Sequence, residues 1–183
     1  DQVLTADSTT ASGLKWADSG GSGIWTADGT ASSTTGTSAL TVSSMTGRDI
    51  TQVLFRVAND GTNAVLWLRV NNVSGTNYNT RWGTTDPSNT NSTGDSSWLL
   101  SESLANQDYL GEVLIFKPDS NLNYTGVTMR SSVTAINGGA GLPYQAIYGG
   151  GNNTDTSAVT RIDLLCSSGN ILGEVQVNSM DYQ

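Results

Sequence analysis

The chain offers sixteen carboxylates, a single cysteine, Cys166, and no histidine. Without an imidazole there is no Ser-His-Asp triad, no Cys-His pair and no histidine-held metal. Cys166 has no second thiol for a disulfide or a zinc cage. It sits in the apolar run Ile162-Asp163-Leu164-Leu165-Cys166, where a small buried hydrophobe is the expected role. For acid chemistry one pair remains. Glu102 and Glu112 come nearly opposite each other if the chain turns back around Asn106-Gln107, and glycoside hydrolysis needs two carboxyl groups about 5–9.5 Å apart. Solvated charges on a strand edge explain the two residues more simply, so the chain is read as non-enzymatic.

Ligand recognition has better material. A sugar ring offers an apolar face that stacks on an aromatic, and hydroxyls that polar side chains fix. The stretch from Tyr78 through Arg81, Trp82 and Asp86 to Asp95 and Trp98 holds that mixture, and Tyr144 and Tyr148 beside Gly149-Gly150-Gly151 form a second candidate. Aromatics in β-proteins serve cores more often than ligands, and Trp98, followed by Leu99-Leu100, reads as core. No cofactor is expected. Calcium is the one alternative, since Asp86 to Asp95 and Asn152 to Asp155 have suitable oxygen atoms, without the spacing of an EF-hand.

The elements that must position these groups are short alternating runs. Ile50 to Ala58 and Asn63 to Asn71 flank Asn59-Asp60-Gly61-Thr62, and Asp-Gly is a strong hairpin signal. A loop at Asp60-Gly61 sets Val57 against Ala64, Phe55 against Leu66 and Val53 against Leu68, all on one face, with Leu54 beside Trp67 on the other. A second hairpin is expected from Thr160 to Cys166 and Ile171 to Val177, turning through Ser167-Ser168-Gly169-Asn170, with Asp163 near Glu174. Gly111 to Lys117, Ser97 to Leu104, Leu122 to Arg130 and Tyr144 to Tyr148 read as further strands, and Asn71 to Asn91 and Asn137 to Thr156 as long polar insertions. Roughly eight antiparallel strands without a helix predict an all-β fold, an antiparallel, jelly-roll-like β-sandwich over residues 38–183. A short extended segment, residues 1–18, precedes it. Residues 19–37, rich in Gly, Ser and Thr, read as linker or loop.

Composition excludes several partners. Hydrophobic residues make up 36% and charged residues 13% of the 183, and the net charge is −8. A surface of that sign repels a phosphate backbone, so no nucleic acid is expected. No apolar run approaches the ~18 residues of a membrane span, so no membrane insertion is expected. Val3, Leu4, Leu14 and Trp16 lie in two short apolar patches that cannot bury themselves, which asks for the main domain or other chains as their cover.

Gln2-Val3-Leu4-Thr5, then Asp7-Ser8-Thr9-Thr10 and Gly13-Leu14-Lys15-Trp16-Ala17, resemble a segment of phage tail-fibre and other virion-appendage proteins that joins a fibrous region to a C-terminal globular domain. Val65-Leu66-Trp67-Leu68-Arg69-Val70 leading to Gly75-Thr76-Asn77-Tyr78, and Thr160-Arg161-Ile162-Asp163-Leu164 with Ser167-Ser168-Gly169-Asn170, resemble the β-rich C-terminal domains of the same proteins more loosely. The last strand departs from many of them by ending in Met180-Asp181-Tyr182-Gln183 rather than in Tyr-Gly. The resemblance implies a homotrimer on the exterior of a virion, in contact with other virion proteins. Its tip would meet a host-surface polysaccharide or another envelope component. A structural head fibre or capsid decoration without a ligand, and a carbohydrate-binding module of a secreted enzyme, are the alternatives.

Overall fold

The computed structural model describes residues 2–6, 14–18, 25–60, 64–84, 89–101, 107–116, 127–137, 145–154 and 157–181, and all the regular elements among them are strands. In chain order these are β1 (Gln2–Ala6), β2 (Leu14–Asp18), β3 (Thr26–Thr37), β4 (Ala39–Ser43), β5 (Ile50–Asn59), β6 (Leu66–Val70), β7 (Tyr78–Thr84), β8 (Asn89–Asp95), β9 (Trp98–Leu99), β10 (Gln107–Phe116), β11 (Val127–Asn137), β12 (Gln145–Asn153), β13 (Arg161–Cys166) and β14 (Ile171–Met180). β1 and β2 form a two-stranded sheet of their own. The others form an eight-stranded sheet in the order β3-β14-β5-β10-β11-β12-β7-β8 and a four-stranded sheet in the order β4-β13-β6-β9. All pairings are antiparallel. The fold is the expected antiparallel β-sandwich.

The core is where the alternating runs of the two sheets meet. Val53, Phe55 and Val57 of β5, Val113 and Ile115 of β10 and Val175 and Val177 of β14 face Leu66, Leu68 and Val70 of β6 and Ile162 and Leu164 of β13, all buried. Fully burying a side chain of this kind contributes about 1.5–3 kcal/mol, so this shared layer is the main source of stability.

The apolar faces are as expected, but their pairing is not. β5 and β6 do not make a hairpin: β5 lies between β14 and β10 in the large sheet, and β6 between β13 and β9 in the small one. Val53 is level with Val177 and Val113, not with Leu68. β13 and β14 part in the same way, into different sheets. Alternation reports that one face of each strand is buried; it does not report whether two such faces sit side by side or look at each other across a sandwich. Leu54 and Trp67, expected as neighbours, therefore lie on different sheets.

The expected Asp163–Glu174 proximity is likewise replaced. Asp163, 2% exposed, takes a two-pronged ion pair from Arg161 (Nη2 to Oδ1 2.7 Å, Nε to both oxygens 3.0 Å) and a hydrogen bond from Thr41 Oγ1 at 2.6 Å. Glu174, on the other sheet, is level with Arg56. A buried carboxylate needs such partners.

The two chain reversals between the sheets stack on each other. The Asp60 N–H donates to the Asn170 carbonyl, and Asp60 accepts from the Asn170 N–H at 2.6 Å and from its side-chain amide at 3.1 Å. The Asn170 N–H, with its side chain second, holds the Asp60 carboxyl below the usual carboxylate range. Close by, Cys166 is packed against the core, and its thiol is pushed up to about 11, first by burial and then by the Asp60 charge. The sequence predicts a small buried hydrophobe there; Cys166 is half-buried.

Residues 26–37, expected within a linker, instead form β3, the edge strand that pairs with β14 through two register shifts. Thr, Ser and Gly carry no apolar pattern, but the backbone of an edge strand needs only one partner. The long polar insertions are also largely strands. β7 and β8 come from the first, β12 comes from the second, and β12 pairs directly with β7.

A nested order emerges when β7, β8, β11 and β12 are set aside. Of the eight strands that then remain in the two larger sheets, the first pairs with the last (β3 with β14), the second with the seventh (β4 with β13), the third with the sixth (β5 with β10) and the fourth with the fifth (β6 with β9). The two insertions then extend one sheet beyond β10 as a second half of four strands.

Candidate functional site

The inserted half of the large sheet gathers most of the residues singled out for ligand binding. Tyr78, Arg81 and Trp82 stand on β7 and Tyr148 on β12, with Tyr78 level with Asn153, Arg81 with Gly150, Trp82 with Gly149 and Gly83 with Tyr148. Two patches that look separate in the sequence are thus joined by one strand pairing. Asp86 and Tyr144 lie outside the described residues, as do Glu102 and Asp155. Glu112 is level with Leu54 of β5 and Ser132 of β11 and accepts a hydrogen bond from Gln52 at 2.6 Å. Both sides of β10 are taken by β5 and β11, so the hairpin expected to bring a 97–104 strand beside Glu112 does not form. Of that stretch residues 97–101 are described, and the strand among them, Trp98–Leu99, lies in the small sheet.

Tyr78 is not a ligand contact. It is fully buried; its hydroxyl donates to the Val70 carbonyl at 3.2 Å and accepts from the Val70 N–H at 3.1 Å, and its ring meets Trp98 edge-on, centroids 5.3 Å apart. Trp98, correctly read as core, is also fully buried, and its indole N–H donates to the Asn152 carbonyl at 3.1 Å. The Leu99 N–H donates to Thr80 Oγ1 at 3.2 Å. β9 of the small sheet thereby ties down β7 and β12.

Above this anchor is an open groove of about 390 Å³, lined by Asn79, Thr80, Arg81, Thr93, Gly150, Gly151 and Asn152. Its floor is fixed from beneath. A Cβ at Gly151 would overlap the Asn79 carbonyl oxygen and come within 2.9 Å of the Trp98 indole. Its wall is a side-chain pair: the Asn79 amide donates to Asn152 Oδ1 at 3.0 Å, and Asn79 Oδ1 accepts from the Gly94 N–H at 3.3 Å. Arg81 is exposed. Amides, hydroxyls and one guanidinium in an open trough suit a hydroxylated ligand.

Two further grooves, of about 380 and 500 Å³, lie on the other half of the same sheet. The first is lined by Thr30, Leu54, Arg56, Leu110 and Glu174 among others, the second by Ser32, Arg56, Asp108, Leu172 and Glu174 among others. Leu110 is 54% exposed there. This surface sets Leu54 and Leu110 beside the charged Arg56, Asp108 and Glu174.

The four residues expected at an oligomer interface lie on the β1–β2 sheet, where Leu4 is level with Trp16, Ala6 with Leu14 and Val3 with Ala17. Among the described residues no group of three or more Cys, Asp or Glu is placed to hold a metal ion. No protein-family model, curated protein or solved structure matches the chain.

Proposed function

We propose that the chain is the head domain of a trimeric virion fibre, a jelly roll that meets a host-surface glycan through the groove around Arg81. The observation that carries the reading is the groove itself. It is open, carries amide, hydroxyl and guanidinium side chains, and is built by two insertions that pair with each other at the margin of a complete eight-strand sandwich. Function on β-sandwiches sits on such additions to the scaffold.

Three further features support it. The nested pairing of β3, β4, β5, β6, β9, β10, β13 and β14 is the order that results when a long two-stranded ribbon is rolled up, as in the double Greek key of a jelly roll. The β1–β2 sheet is a two-stranded hairpin, marginal in water by itself, and supports a role for Val3, Leu4, Leu14 and Trp16 between parallel copies. Residues 2–17 resemble the connecting segment of virion fibres. A second reading, a structural virion protein without a ligand, is favoured by the exposed Leu110 beside Leu54, a surface suited to protein contact.

The test has two measurements on the full chain: molar mass by light scattering, repeated without residues 1–18, and capture on an array of bacterial surface glycans. A trimer that loosens on truncation and holds a glycan supports the proposal. A trimer that captures no glycan moves the chain to the structural reading. A stable monomer in both forms that still binds sugar moves it to an isolated carbohydrate-binding module.

A further inference from the structure

One row of the outer face of the inserted half has an unusual make-up. Arg81 of β7 is level with Gly150 of β12, and Gly150 with Arg130 of β11; the row continues into the other half as Leu114, Gln52 and Asn178. Two arginines thus flank a glycine with no carboxylate in the row. Their backbones are separated by two strand spacings, about 9.5 Å. Both side chains are exposed.

Among the described residues, three of the other arginines of this acidic chain have a bonded partner, and the fourth has a carboxylate level with it. Arg48 pairs with Asp181 at 2.8 Å and Arg161 with Asp163 at 2.7 Å. Arg69 donates to the Ser96 carbonyl at 3.2 Å, and Arg56 has Glu174 directly across from it. Arg81 and Arg130 have no ion pair or hydrogen bond among the described residues. A chain with sixteen acids against eight bases has ample carboxylates to neutralise them.

Gly150 is the second observation. A glycine inside a strand weakens it and marks a bulge, a bend or the close approach of something from outside. No bulge is present, because the register through Gly150 is continuous on both sides. Its φ is not in the left-handed region. A Cβ would fit, its closest neighbour being the Met129 carbonyl oxygen at 3.4 Å. Neither backbone nor packing requires glycine here, in contrast to Gly151 next to it. What Gly150 leaves is a notch between two guanidinium groups without a partner among the described residues, open beside the Asn79–Asn152 amide pair.

From this we infer that the groove takes an anionic glycan, one whose carboxylate, sulfate or phosphate substituent seats in the notch between Arg81 and Arg130. Guanidinium groups hold such oxyanions through charge-assisted, two-pronged hydrogen bonds. The sugar hydroxyls then fall on Asn79, Asn152 and Thr93. This deepens the glycan-recognition proposal and rests on it.

The experiment measures binding of the full chain to oligogalacturonate, to dextran sulfate and to neutral dextran, by biolayer interferometry at low and high salt. An anionic polymer is expected to bind more tightly than dextran, and added salt to weaken it. Arg81→Gln and Arg130→Gln are each expected to weaken it about tenfold, and Gly150→Glu to abolish it with the melting temperature preserved. Arg56→Gln, on the other half of the sheet, is the control and leaves binding unchanged. Binding of both anionic polymers no tighter than dextran overturns the inference, and so does equal binding by the two arginine variants and the parent chain. If a neutral glycan on the array is held and neither anionic polymer is, the inference fails and the glycan proposal stands; if no glycan of any kind is held, both fail.

Discussion

The two halves of the large sheet share a backbone ladder and differ in how they are secured. In the half made of β3, β14, β5 and β10, the inner face packs on three apolar strands of the small sheet, and the chain reversals are pinned by Asp60 and Asn170. In the half made of β11, β12, β7 and β8, the inner face meets the small sheet chiefly at Trp98 and Tyr78. The outer faces differ in the opposite sense. The first half sets Arg56 level with Glu174, while in the second Arg81 and Arg130 have no ion pair or hydrogen bond among the described residues. A fold can place its uncompensated charge on an added margin because the stability of the whole is supplied elsewhere.

The strongest way to break this comparison is Trp98→Ala. Removing a fully buried indole is expected to cost about 3–5 kcal/mol, and it strips β12 of its link to the small sheet. Urea unfolding checks the value; a cost under about 1 kcal/mol would mean that the inserted half is held by something other than the indole. Next comes Gly151→Ala, whose Cβ overlaps the Asn79 carbonyl and crowds Trp98. An overpacked site of this kind costs about 1–3 kcal/mol, read as a fall in the urea midpoint. Gly150→Ala, one residue away, is expected to go the other way. Its site has room, and replacing glycine at a compatible conformation stabilises by about 0.4–1 kcal/mol through the unfolded chain. Equal losses at 150 and 151 would remove the distinction between an open notch and a packed floor.

The smallest effect belongs to the first half and is read through pH. The Asp60 carboxyl is held below its usual range in the folded chain. Its stabilising effect is therefore fully present above the ordinary carboxylate value of about 3.9, and is lost as pH falls through the lowered folded value. Urea midpoints of the parent chain are expected to fall more between pH 7 and pH 3 than those of Asp60→Asn. Identical falls would show that the corner contributes nothing to acid sensitivity.

Much of this was legible in the residues, and the limits have physical causes. The alternation of Val53, Phe55 and Val57, and of Leu66, Leu68 and Val70, marks the strands and the buried faces. The pairing was misread because a hairpin and two facing strands bury the same positions. β3 was hidden because Ser, Thr and Gly carry no periodic signal and its strand state comes from β14 beside it. At the groove, Arg81 and the Gly149-Gly150-Gly151 run were visible, whereas Tyr78 was mistaken for a contact because the pattern does not say which aromatic turns inward. Arg130 was missed altogether. It closes an expected strand with nothing nearby in sequence to mark it, and its significance exists only once the register sets it across Gly150 from Arg81.

The edge position of β3 has a mechanical consequence. Its first residue is level with Ser179 of β14, so the chain enters the sandwich at the end where the last strand finishes. A pull transmitted through the segment before Trp25 and resisted at the groove must cross every ladder from β3 to β12. β3 is held in that sheet from one side only, so under tension it is the strand that peels first, while the ladders nearer the groove still hold.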